Sequence, residues 1–160
     1  MSFFTMITVV MALLGSALIG GIFFAFSSFV MKALARLPSP QGMAAMQSIN
    51  VVVLNPLFLI VFTGTALLSL LVSILAIKGW EAISAPYFLI GALLYLCGTF
   101  LVTGVGNVPL NNQLAAATPT DPASGDLWEH YLDRWTWLNT LRTVSAMAAA
   151  LFLIMGLIKS

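Results

Sequence analysis

Arg142 lies inside an apolar stretch long enough to cross a bilayer, and Trp128, Tyr131, Trp135 and Asn139 precede it at steps of three and four residues. On a helix that spacing puts all five on one stripe. A cation at membrane depth costs about 3 kcal/mol on insertion scales, so such a side chain turns inward to a partner. The chemistry that Arg142 and Asn139 can offer is a set of fixed donors for an oxyanion, while the rings of Trp128, Tyr131 and Trp135 offer flat faces to an aromatic ligand.

More amides are expected at the same end. Asn50 and Asn55 close the first long polar connection and Asn107 and Asn111 open the second, and the two connections share one membrane face. Asn55 precedes Pro56 and reads as an ordinary helix cap. Asn50, Asn107 and Asn111 are expected to meet Trp135, Asn139 and Arg142 around a pocket for a small planar aromatic or quinone-like ligand. Buried polar groups need partners, so capping of helix ends and gluing of helices account for the same residues without a ligand.

His130 is the sole histidine. Histidine is the side chain best suited to move a proton near neutral pH, which makes His130 a candidate base, although its place on the helix points it away from the stripe. One histidine excludes a bis-histidine haem within the chain. Asp126, Glu129, His130 and Asp133, at relative positions 0, 3, 4 and 7, match a carboxylate–histidine metal set and equally the solvated face of an amphipathic helix. We expect no cofactor, with a metal at Glu129, His130 and Asp133 as the alternative.

The elements that must position these groups follow from composition: 61% hydrophobic residues, 7% charged residues and a mean hydropathy of +1.05 belong to an integral membrane protein. Runs of about 20 apolar residues cross a bilayer, and four occur, at about 6–30, 56–77, 86–105 and 139–158. The expected fold is therefore an all-α bundle of four transmembrane helices in one domain, residues 1–160. The first run is far longer than the apolar core of a signal peptide and reads as a retained helix. A short amphipathic helix at about 41–50 should lie along the membrane surface between helices one and two.

A tight turn around Lys78–Glu81 should join helices two and three. The segment 106–125, with Gly, Pro and three asparagines, reads as a polar loop. Asp126 then starts a helix with Glu129 in an acidic capping box, and this extension runs into the fourth span. Asn55-Pro56 and Ser84-Ala85-Pro86 mark two further helix starts. Ser16 with Gly20, and Ala17 with Gly21, allow close helix approach, while Phe23, Phe24, Phe26 and Phe29 read as core or lipid-facing filler, with a wall for a planar ligand as the alternative.

Net charge is +1 with no basic run, which speaks against nucleic acid. Cys97 is the only cysteine, so no disulfide forms within the chain. Lys32, Arg36 and Arg134 flank the long connections and Lys78 and Lys159 the other side, which by the positive-inside rule makes the long connections cytoplasmic. A homodimer is open.

GNVPLNNQLA, followed by LWEHYLDRWTWLNTLRTVSAMAAALF, resembles the anthrone oxygenase-like family, also described as domain of unknown function DUF1772. GIFFAFSSFVMKALARLP and AMQSIN extend the resemblance toward the N-terminus. It implies a bacterial, inner-membrane relative of fungal enzymes that oxidise polycyclic anthrones to anthraquinones, hence a membrane monooxygenase or other oxidoreductase acting on a phenolic, anthrone-like or quinone-like substrate. It carries no residue roles with it. The competing reading is a non-catalytic carrier or assembly protein; the lack of a carboxylate inside the spans speaks against a proton-coupled carrier.

Overall fold

A computed structural model describes all 160 residues. Helices α1 (Phe3–Leu34), α3 (Pro56–Lys78), α4 (Ala85–Ala116) and α5 (Ser124–Ile158) are each long and apolar enough to cross a membrane. A shorter helix, α2 (Ser39–Val52), joins α1 to α3. The chain is an all-helical four-span bundle in which α5 packs on both α1 and α4, and α3 closes the ring against α1 and α4. Three apolar cores lie within it, one of them built around α2, α4 and α5.

α2 is more than a surface helix: Met43 and Met46 on its inner side are fully buried against Leu114, Trp128 and Tyr131. Gly42 is needed there, because a Cβ would stand 2.8 Å from the Leu34 carbonyl oxygen and 2.9 Å from Trp128 Cζ2.

Helix starts divide into those the sequence marks truly and those it does not. Asn55 Oδ1 accepts the Phe58 N–H at 3.0 Å, and Pro56 takes the first position. Ser84 does not cap α4, since its own backbone is already helical (φ −76, ψ −21). The Asp126–Glu129 capping box does not form either: α5 begins at Ser124, so Asp126 sits inside the first turn. The Ser124 hydroxyl instead donates to the Thr118 carbonyl at 2.9 Å. As expected, the extension then runs unbroken into the fourth span.

The largest departure is in α4. The polar loop expected from residue 106 is helical to Ala116, because Leu110 and Leu114 are buried there against α2 and α5 and Gln47 satisfies the Leu114 and Ala117 carbonyls at its end. Pro109, which cannot donate, falls at the start of an α-helical stretch that follows two π-helical stretches, Leu94–Leu101 and Thr103–Asn107. Wider turns of this kind re-set the hydrogen-bond register and absorb a proline. A third π-turn, Phe26–Val30, lies in α1.

At 1.5 Å per residue α5 is about 52 Å long, against about 30 Å of hydrocarbon. Its first turns, with exposed Asp126, Glu129, His130, Asp133 and Arg134, therefore project beyond the membrane core. Arg142 lies sixteen residues before Ile158, hence about 24 Å along the span and about 6 Å inside its near face.

Close helix approach uses only half of the small residues expected for it. A Cβ on Gly20 would stand 2.9 Å from Met147 Sδ, and Ser16 is buried beside it, whereas Gly21 has nothing within 4 Å. A Cβ on Gly98 would collide with Ser145, where α4 meets α5. Gly98→Val should destabilise the bundle by about 1–3 kcal/mol through overpacking, while Gly104→Ala, with nothing within 4 Å, should not. Thermal midpoints in detergent check this; equal midpoints would contradict the α4–α5 contact.

Candidate functional site

Arg142 is 4% exposed. Its Nη2 donates to Asn139 Oδ1 at 2.7 Å and its Nη1 to Thr103 Oγ1 at 3.1 Å, while Nε has no partner. The guanidinium plane lies over the Phe23 ring, 4.0 Å from its centroid, and 5.3 Å from that of Trp135. Its partners are thus an amide, a hydroxyl and two π-faces, all neutral. A dry cation held this way keeps its charge available to an incoming anion.

Asn139 fixes the arginine from below. Its Nδ2 donates to the Phe23 carbonyl and to Ser27 Oγ, each at 2.7 Å. These partners sit in α1 beside the π-turn at Phe26–Val30. Asn139 therefore ties α1 to α5 and points its carbonyl oxygen at Arg142.

Along α4 the polar residues Thr99, Thr103, Asn107 and Asn111 recur every four positions. A regular α-helix of 3.6 residues per turn would carry such a series steadily off one face; π-turns are wider and hold it closer to line. All four bond to α5: Thr99 Oγ1 donates to the Arg142 carbonyl at 3.2 Å, Thr103 accepts from Arg142, and Asn107 Nδ2 donates to the Trp135 carbonyl at 3.3 Å. Asn111 Oδ1 accepts both the Tyr131 hydroxyl and Trp135 Nε1, each at 2.8 Å. Because an indole nitrogen only donates, the atom facing it must be the amide oxygen, and the Asn111 NH₂ is left free.

Tyr131 is the hub. Its hydroxyl accepts from Asn50 Nδ2 at 3.2 Å while donating to Asn111, which links α2, α4 and α5. Its ring lies in a stacked ladder between Trp128 and Trp135, with centroids 5.8 and 6.0 Å away. Tyr131→Phe should cost about 1–2 kcal/mol, because it keeps the ring and orphans Asn50. A thermal midpoint unchanged from the parent would contradict the bridge.

These groups converge on a cleft of about 100 Å³ walled by Phe23, Phe26, Met46, Asn50, Thr103, Asn111, Trp135 and Arg142, with Ile22, Val53 and Phe58 on its outer side. Of the expected residues, Asn50, Asn111, Trp135 and Arg142 line it. Asn139, Asn107 and Tyr131 stand behind that lining and hold it. Trp128 lies elsewhere, buried under Gly42 and stacked on Tyr131, so its faces are taken by protein. His130 is exposed on the polar side of α5, away from the cleft. Glu129, His130 and Asp133 do not converge: no group of three His, Cys, Asp or Glu side chains is close enough to share a metal ion.

Ser27, Thr99 and Thr103 were not anticipated from the sequence, while Phe23 and Phe26 take the minority reading of their cluster, a wall of the cleft. The four-residue spacing from Thr99 to Asn111 was the available signal for α4. For Ser27 there was none, since one serine in an apolar helix ordinarily bonds its own backbone. Gln47 is another such residue: its Nε2 donates to the Leu114 and Ala117 carbonyls at 2.7 and 2.9 Å, satisfying the end of α4.

Residues 53–152 match the family model described as Anthrone oxygenase. The match takes in α3, α4 and most of α5, with Thr103, Asn111, Trp135, Asn139 and Arg142, and leaves out α1 and α2, which the early resembling segments occupy. No curated protein and no solved structure matches the chain.

Proposed function

We propose, since the chain belongs to the anthrone oxygenase family, that it is a membrane oxygenase acting on a phenolic carbon acid of the anthrone type, with the ring oxygen held against Arg142. The observation that carries this reading is the buried guanidinium with neutral hydrogen-bond partners, on a residue that lines the cleft.

The reaction asks little else of the protein. An anthrone methylene is acidified by the carbonyl and the two flanking rings. Loss of one proton gives an enolate whose negative charge rests largely on oxygen. Arg142, with Asn111 NH₂ beside it, stabilises that charge; a fixed donor in a dry site is worth about 3–4 kcal/mol. The enolate carbon passes electrons to dioxygen and forms a C–O bond, giving a hydroperoxide after protonation. Loss of the second methylene hydrogen with cleavage of O–O releases water and leaves the new carbonyl, so one dioxygen is consumed per quinone formed.

No carboxylate or imidazole lines the cleft. In this reading the cation lowers the cost of ionisation, and the proton leaves to water. His130→Ala should then retain turnover. Oxygen uptake by purified protein with an anthrone should exceed autoxidation, yield quinone in equal amount, and continue after chelation. Uptake restored only by added metal would overturn the cofactor-free route, and no uptake above autoxidation would overturn the substrate assignment.

A further inference from the structure

The cleft has an apolar annex. On the lipid side of its outer wall runs a second cavity of about 380 Å³ between α1 and α3, bounded by Leu18, Ile19, Ile22, Leu57, Phe58 and Val61. Ile22, Val53 and Phe58 line both spaces. Those three side chains are the partition between a polar recess and an open groove. Leu18 and Leu57 are 54% and 75% exposed, so the groove opens sideways toward the bilayer.

The two volumes set the kind of ligand. Cavities on the order of 150 Å³ hold benzene, so the polar recess, at about 100 Å³, takes at most the oxygen-bearing edge ring of an anthrone-type ligand. Anything larger must extend past the partition. The groove is walled by branched aliphatic side chains, with Phe58 its one ring and Asn55 its one polar residue, and it follows α1 from Leu18 to Ile22 and α3 from Leu57 to Val61, about 6 Å along each axis.

The geometry points to a single amphiphile-binding site: the oxygen-bearing ring of an anthrone-type ligand against Asn50, Asn111 and Arg142, and its remaining rings or alkyl chain lying in the α1–α3 groove, loaded laterally from the membrane. This inference rests on the head-group reading above and adds the tail and the route. An ordinary lipid lacks the head and gains nothing from the recess, while continuity of the two spaces gives a tailed phenol both. Entry requires only that Ile22, Val53 and Phe58 rotate aside, because α2 has ended at Val52 and α3 starts at Pro56.

The test uses a hexyl phenol with a diazirine on the chain, the intact protein in vesicles, and mass spectrometry of the crosslinked peptides. Labelling should fall on Leu18, Leu57 and Val61, be competed at least ten-fold by excess unlabelled tail-less phenol, and fall as far in Leu18→Trp. The Leu18→Trp variant should still bind the tail-less phenol as the parent does, which shows that the recess is intact. Labelling that a diazirine fatty acid reproduces and phenol leaves unchanged would overturn the tail site and show a lipid-filled groove. If phenol competes but the label maps to other helices, the annex is also wrong, while the Arg142 recess stands. Failure of the head-group reading shows separately, as tail-less phenol that binds Arg142→Met and the parent equally.

Discussion

Arg142→Met should lower turnover of an anthrone by about 10²–10³-fold, the loss found when one preorganised oxyanion donor is removed, while changing stability little, because relief of the buried charge offsets the about 1–3 kcal/mol cost of orphaning Asn139 Oδ1. The two halves of this expectation come from the same geometry. Methionine has similar length and fills the space between the Phe23 and Trp135 rings with a polarisable thioether that suits aromatic neighbours. It also removes a buried charge whose partners are all neutral. Replacing buried charge by apolar side chains of similar volume is often neutral or stabilising. A purely structural arginine would give the opposite pattern, lost stability with activity falling only in proportion.

Arg142→Lys adds a finer distinction. An ammonium keeps the charge but lacks the planar fork that serves Asn139 and Thr103 together. It should recover only a small part of the lost turnover. Initial rates and thermal midpoints of the three proteins check both expectations.

The second large effect is expected at Asn139. Asn139→Leu removes the acceptor for Arg142 Nη2 and both hydrogen bonds to α1, at Phe23 and Ser27, and so leaves the guanidinium with Thr103 as its one hydrogen-bond partner. Stranding a buried charge costs about 3–5 kcal/mol, so this variant should be markedly less stable and nearly inactive. Adding Arg142→Met should restore much of the stability and none of the activity. Coupled residues give interaction terms of about 0.5–3 kcal/mol in double-mutant cycles, and a term near zero would show that Asn139 does not hold the arginine.

The α5 stripe was legible because a helix of fixed period carries its polar and aromatic residues at steps that reveal a common face. Four spans were legible from hydropathy for the same elementary reason. The end of α4 was not, since Gly104, Gly106 and Pro109 read as breakers, whereas packing of Leu110 and Leu114 against α2 and α5 keeps the segment helical and wider turns absorb the proline. That misreading moved Asn107 and Asn111 from a loop to a helical face, yet their meeting with the α5 stripe was expected and is seen. The lower anchor of the site was hidden for a different reason. The Phe23 carbonyl is a backbone atom, which carries no residue signature, and it meets Asn139 Nδ2 beside a π-turn that composition does not announce. Trp128 read as a ligand wall because its stripe position was right; only the close approach of α2 at Gly42 shows that the position is already filled.

The proposed chemistry rests on a neutrally partnered guanidinium that lowers the cost of an aromatic oxyanion in this cleft. Its most direct test is the absorption spectrum of an anthrone bound anaerobically to the parent protein and to Arg142→Met, titrated across pH. The account predicts that the enolate band appears at lower pH on the parent than in detergent alone, and that the shift vanishes in Arg142→Met. An enolate that forms at the same pH with both proteins would contradict it.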